Sequence, residues 1–166
     1  MRDFGQFMAI AQAHEDAVRD HLVEFGWTVE PFGQALLTAP CRLALRSWKD
    51  RDGKPTLVRW LPDLIAYRHS KCWSVALVDA KSEVSKHANH AVEQASVDCD
   101  RVISTSLNVP TYYVFDDFGV ATPDDVVSWG HIHNGIGTKG SGTPFYLVAK
   151  SACRRFDDVF ALGATS

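Results

Sequence analysis

Residues 57–81 read LVRWLPDLIAYRHSKCWSVALVDAK. Most of this stretch is apolar, and its composition predicts strands buried in a core. It also carries Asp63, Asp79 and Lys81. Burying a charge is costly unless the charge is paired or binds a metal, so the reading of these three residues decides both fold and chemistry. Asp63 directly follows Pro62, a residue tolerated at a strand start. Asp79 and Lys81 close the next apolar run. Side chains of a strand alternate between faces, so Asp79 and Lys81, two apart, point the same way. If DLIAYR and WSVALVDA pair as a hairpin about RHSK, the start of one strand lies beside the end of the other. Asp63 then converges on Asp79. Two carboxylates and an ammonium on one patch form a hard-oxygen site suited to Mg2+ or Mn2+. The plainer alternative for Asp79 and Lys81 is a salt-bridged strand edge.

The remaining chain supplies the setting. Residues 4–25 predict a helix with apolar positions at Phe7, Ala11, Val18, Leu22 and Phe25, ended by Gly26. WTVEPF reads as a short strand. A second helix is expected after Thr38, with Pro40 in its first turn and Leu43 and Leu45 turned inward. Asp52-Gly53 is a hairpin signal, followed by TLVRWL, DLIAYR and WSVALVDA as three strands. A long helix is predicted over residues 84–105, with an apolar seam of Ala88, Ala91, Val92, Ala95, Cys99, Val102 and Ile103. PTYYVF is a buried strand, residues 124–129 a helical turn, GHIHNGIGTKGSGTP a glycine-rich loop, PFYLVA a strand and SACRRFDDVFAL a closing helix. This order predicts an α/β fold with a mixed sheet and helices on its faces.

Bulk properties narrow the classes. With 166 residues, 46% hydrophobic and 22% charged, the chain suits a single domain spanning 1–166 with a real core. No apolar run approaches the roughly 18–20 residues that span a membrane. No secretory signal is read at the N-terminus. A net charge of −3 argues against a nonspecific polycation, but a bound divalent ion would itself supply local positive charge. Cys41, Cys72, Cys99 and Cys153 have no zinc-like spacing and are read as reduced core or near-core thiols, hence a cytoplasmic protein.

Pro62-Asp63 followed by Asp79-Ala80-Lys81 resembles the PD…DxK signature of the PD-(D/E)XK nucleases, which include restriction enzymes, Holliday junction resolvases and phage nucleases. Glu15, Val18, Leu22, Gly26, Trp27 and Val29 stand at the offsets of the pattern often carried by that family's first helix and strand. The resemblance covers residues about 10–115 and implies a restriction-endonuclease-like αβββαβ core. It implies a Mg2+- or Mn2+-dependent deoxyribonuclease, an endonuclease of phage or resolvase type. Asp63, Asp79 and Glu15 would hold the metal and Lys81 would orient or activate the attacking water. DNA is the implied partner, and many resolvases act as homodimers. A catalytically silent relative serving as a binding or assembly module is the alternative, set against a signature with no position missing. A metal hydrolase acting on something other than nucleic acid is a second.

Weaker signals lie downstream. His87, His90 and Gln94 would share one stripe of the predicted long helix, with Glu93 and Gln94 candidates to reach metal-bound water or phosphate. Some exonuclease branches carry Q-x-x-x-Y here, whereas this chain has Gln94 with Asp98. In the glycine-rich loop, backbone amides and Lys139 are candidates to approach a phosphate. Lys150 and the Arg154-Arg155 pair, beyond the last strand, are further candidates. For each of these the bland reading is a solvated helix face, a plain connection or a solubilising charge. Trp48, Trp60, Trp73 and Trp129 are read as core or rim rather than as base-stacking platforms.

Overall fold

A computed structural model describes residues 4–49, 51–53, 57–82, 88–134 and 143–161. Helix α1 spans Phe4–Glu24. Its Val18 and Leu22 are fully buried, as their spacing requires, and Ala11 is exposed. The helix ends where expected. Gly26 adopts φ +80°, which a side chain would resist, and Gly26 N donates to Val23 O at 2.9 Å. Strand β1 (Thr28–Pro31) follows, then α2 (Ala39–Ser47) with Thr38 at its N-cap position and Pro40 in its first turn. Leu43 in α2 is 66% exposed, so it does not face inward as predicted.

The charged stretch forms a hairpin. Strands β2 (Leu64–His69) and β3 (Trp73–Lys81) pair antiparallel, with Leu64 opposite Val78 and His69 opposite Trp73. TLVRWL is not a strand: Leu57–Trp60 is a 3-10 helix. Trp60 and Leu61 pack against Leu77, Cys99 and Ile103 instead of entering the sheet. The three sequential strands of the predicted core are therefore β1, β2 and β3, with WTVEPF as the first. Asp52-Gly53 makes a turn, with Gly53 at φ +77°.

The predicted long helix is also corrected. Residues 83–87, including His87, lie outside the described residues. Asn89–Glu93 forms strand β4, and only Gln94–Leu107 is helical, as α3. In β4, His90 and Val92 point inward and Asn89, Ala91 and Glu93 outward relative to them, a period of two rather than 3.6. The deciding partner is distant in sequence, since His90 pairs with Val148 and Val92 with Tyr146 of β8 (Phe145–Ala149).

Strand β5 (Thr111–Phe115) returns parallel to β3, with Asp79 opposite Tyr113 and Lys81 opposite Phe115. β6 (Gly119–Ala121), hidden within a segment without an alternating pattern, extends the sheet antiparallel to β5. A capped helix α4 (Pro123–Trp129) follows, in which Thr122 Oγ1 accepts from Asp125 N and Asp125 Oδ2 accepts from Thr122 N. His131–His133, read as loop, is strand β7 on the edge of β8. The closing segment is divided into a 3-10 turn (Lys150–Ala152), β9 (Arg154–Arg155) and α5 (Phe156–Phe160). The result is a six-stranded mixed sheet ordered β1-β2-β3-β5-β6-β9 and a three-stranded sheet ordered β4-β8-β7.

Two apolar layers flank the large sheet. On one face Val18 and Leu22 of α1 pack with Leu64, Ala66, Ala76, Val78, Val114, Phe156 and Phe160. There Trp27 Nε1 donates to Phe160 O at 2.9 Å. On the other face Leu77 meets Cys99 and Ile103 of α3, while Tyr113 and Phe115 meet Val92, Val97, Tyr146 and Val148. Each large aliphatic group buried this way contributes about 1.5–3 kcal/mol. Cys99 is buried, its thiol pushed up to about 12 by desolvation and by Asp100. Cys41 and Cys72 are exposed, contrary to the expectation of core thiols, and all four cysteines are unbridged. Trp48, Trp73 and Trp129 are exposed at the rim. Among the described residues, no helix is long and apolar enough to cross a membrane.

Candidate active site

The hairpin register carries Asp63 and Asp79 to the same end of the sheet. Leu64 lies opposite Val78, so the residue before Leu64 stands beside the residue after Val78. Facing residues of an antiparallel pair share a face. That face is the one bearing Leu77 and Ile65, toward α3. The Asp63 carboxylate is tied down as well, its Oδ2 accepting from Ala80 N at 3.1 Å. Gly33 permits the approach of this segment. Its φ is +54°, and a Cβ there would lie 2.4 Å from Pro62 O. Next to it, Phe32 N donates to Asp63 O at 2.7 Å.

Lys81 completes the patch. Its Nζ lies 2.6 Å from Asp79 Oδ2, with Asp79 only 6% exposed. Burial works against the ammonium, but Asp79, Asp63 and Asp100 together outweigh it and hold the Lys81 pKa above its ordinary value. The carboxyls respond in the opposite sense. Asp63 is raised well above the usual range by burial and by Asp79, with Glu15 adding and Lys81 opposing. Glu15, half-buried on α1, is raised by burial, by Asp16 and by Asp79, against Arg19. Residues from α1, from the start of β2 and from the end of β3 therefore share one electrostatic environment.

Sequence reasoning missed Asp100. It is fully buried on α3, and its carboxyl is raised to about 7, first by burial and then by Asp79. Its Oδ2 accepts from Tyr113 OH at 2.6 Å and from Ser96 Oγ at 3.3 Å, and Ser96 Oγ in turn accepts from Lys81 Nζ at 3.3 Å. The available signal was the i, i+4 pair Ser96 and Asp100 within the apolar face of Val97, Cys99 and Ile103.

The weaker candidates separate. His90 is fully buried and stacked on Phe115, with ring centroids 3.9 Å apart. It shares no helical stripe with Gln94 and presents no surface to a nucleic acid, a correction that follows from β4 being a strand. His90 Nε2 lies 3.1 Å from Asp117 Oδ1 and Nδ1 3.8 Å from Asp116 Oδ1, while Lys150 Nζ lies 3.6 Å from Asp116. Among the described residues, His90, Asp116 and Asp117 are the one group of three whose candidate metal-binding atoms all lie within 4.8 Å of one another. Glu15, Asp63 and Asp79 repel one another without forming so tight a triad, and Asp79 is drawn to Lys81. Gln94, half-buried, opens α3, its N donating to Pro144 O. Lys139 lies outside the described residues. Arg154 is paired with Asp125 and Arg155 with Asp157.

No family model matches the sequence, and no curated protein matches it. The structure aligns with Hjc, a Holliday junction resolvase from Archaeoglobus fulgidus, an archaeal hyperthermophile. The alignment covers 90% of this chain and 93% of that one, with a TM-score of 0.53 and 8% identity. The chain has the fold of that resolvase. At so low an identity the likeness reaches the architecture of mixed sheet and flanking helices and stops there. A second alignment, to D212, a nuclease from a fusselovirus, covers 96% of this chain and 91% of that one at 12% identity. Its TM-score is 0.44, and it carries no weight here.

Proposed function

We propose that this chain is a PD-(D/E)XK-type nuclease that hydrolyses phosphodiester bonds in DNA with the help of Mg2+ or Mn2+. The observation that carries the reading is the convergence of Asp63, Asp79 and Glu15 with Lys81 at one end of a resolvase-like sheet, each from a different position in the chain. The donor set suits a hard cation, being all carboxylate oxygen. Burial and mutual repulsion raise Asp63 and Glu15, and a divalent charge would relieve both. Asp63, Asp79 and Glu15 would hold the ion. When bound, a divalent cation supplies Lewis-acid polarisation of a phosphate oxygen.

The protein's own groups do the rest. Ala80 N fixes one oxygen of Asp63. Lys81, protonated at neutral pH, brings a positive charge to within reach of a phosphate and holds protons at Nζ that can orient a water molecule. Leu77 and Val78, buried on opposite faces of β3, anchor the hairpin in both apolar layers. Within this reading the chain forms a single domain, DNA is the substrate and a homodimer is the working assembly.

The test is cleavage of plasmid, four-way-junction and single-stranded DNA with Mg2+, Mn2+ or Ca2+, comparing the native protein with Lys81→Ala and Asp63→Asn. Metal-dependent cleavage lost in both variants supports the reading. Cleavage that survives Lys81→Ala removes the mechanism. DNA binding without cleavage in any metal makes the chain a binding module.

A further inference from the structure

A fully buried carboxylic acid needs a reason, and Asp100 has an incomplete one. Its Oδ2 collects two hydroxyl donors, while its Oδ1 has no hydrogen-bond partner among the described residues. For stability alone an apolar residue would serve as well or better, since replacing buried charge with packed hydrophobe is commonly neutral or favourable. The arrangement is directional. Ser96 has one hydroxyl proton, and donating it to Asp100 leaves its lone pairs to accept from Lys81 Nζ. Tyr113 donates to the same Asp100 oxygen, and its ring lies 5.3 Å from Nζ. Lys81 is thus shared between two partners, Asp79 on its own strand and Ser96 on α3.

The two partners differ in what else they are asked to do. In the function proposed above, on which this inference rests, Asp79 also holds the metal, so its carboxylate is divided between ion and ammonium. Ser96 has no such second duty. We propose that Asp100, acting through Ser96 and braced by Tyr113, is a positioning residue that sets where the Lys81 ammonium stands relative to Asp79. Without that chain Nζ has one anchor, and it follows Asp79 or swings into solvent through its partly exposed side. The device is a hydrogen-bond chain of fixed polarity running from Lys81 at the end of β3 to Ser96 and Asp100 on α3, with Tyr113 of β5 joining it as a second donor to Asp100.

The experiment has two arms on the full chain. In EDTA, Lys81 is observed by lysine-ammonium NMR, assigned by its loss in Lys81→Arg. The native protein is expected to show a slowly exchanging Lys81 ammonium signal that disappears in Ser96→Ala and in Asp100→Asn. In Mg2+ with plasmid DNA, each variant is expected to lose about 10- to 100-fold in kcat, with KM held within about twofold. The Ser96→Ala/Asp100→Asn double variant should be no worse than the poorer single one, because both break one chain. Tyr113→Phe, which keeps the ring, guards against misfolding of the Asp100 variant and should show the same effects in weaker form. An unchanged ammonium signal in Ser96→Ala, an unaltered kcat, or losses that multiply in the double variant would overturn the inference. If the native protein cleaves nothing, the nuclease reading falls, while the NMR arm still decides whether Asp100 positions Lys81.

Discussion

Replacing Lys81 with Met tests the electrostatics of the site apart from any turnover. Met keeps the length of the aliphatic stem and removes the ammonium. Asp79, 6% exposed and 2.6 Å from Nζ in the native protein, is left without its cation. Glu15, Asp63 and Asp100 are left to repel it. Deleting one partner of a buried pair costs about 3–5 kcal/mol. The Lys81 side chain is 25% exposed, which places the expected loss near the lower end, about 3 kcal/mol. The raised Lys81 pKa keeps its stabilising contribution in full below the ordinary value of 10.5 and loses it only as pH rises through the raised value. The native protein therefore has this contribution at both pH 8 and pH 5.5. The variant's penalty arises from ionised carboxyls, and acids held above their ordinary pKa take up protons as pH falls. Its cost should be smaller at pH 5.5, where Asp63 and Asp100, both raised by burial and by Asp79, are more fully protonated. Urea denaturation in EDTA at the two pH values measures this, with Asp79→Asn/Lys81→Met recovering at least about 1 kcal/mol as the coupled pair. A loss below about 0.5 kcal/mol at pH 8, within ordinary surface-mutation scatter, would refute the argument. So would a loss of equal size at both pH values.

Saturating Mn2+ at about 100 times its Kd should stabilise the native protein by about 2.7 kcal/mol. This corresponds to roughly 5–10 °C in Tm, and EDTA or Asp63→Asn should abolish the shift in a thermal melt. Asp100, raised from 3.8 to about 7, makes the metal-free protein lose stability as pH rises between those values. Asp100→Asn should flatten that slope in urea midpoints taken from pH 4 to 8. Gly33→Ala combines a positive φ with a Cβ pressed against Pro62 O, and should cost about 1–3 kcal/mol and weaken Mn2+ binding by displacing Asp63, read by calorimetry. Trp27→Phe removes the bond to Phe160 O and should lower stability by about 1 kcal/mol without changing metal affinity, measured in the same two assays.

Local patterns were legible wherever a segment's neighbours are close in sequence. The α1 seam of Val18 and Leu22, the Gly26 stop and the hairpin about RHSK all follow from periodicity and turn chemistry. The hairpin alone brought Asp63 beside Asp79, because an antiparallel register of adjacent strands leaves little freedom. The failures share a cause. Ala88 to Glu93 reads as the start of a helix because the helix beyond it is strongly patterned, and only β8, more than 50 residues later, makes it a strand. TLVRWL has strand composition, but its Leu57–Trp60 forms a 3-10 helix, with Trp60 and Leu61 packed beside α3. β6 and β7 are three residues each, too short to show a period.

From the chain alone came the carboxylates and lysine of the candidate site, their shared face and the helices and strands nearest to them. These depend on spacings of two and 3.6 residues, which are local properties of the backbone. The tertiary structure alone decided that His90 is sealed against Phe115, and that Asp100 and Ser96 reach Lys81. It also decided that Glu15, Asp63 and Asp79 stand looser than the close group of His90, Asp116 and Asp117. Each of these depends on which surfaces meet across the sheet, and contact between distant segments is set by the packing of the whole core, which no local pattern encodes.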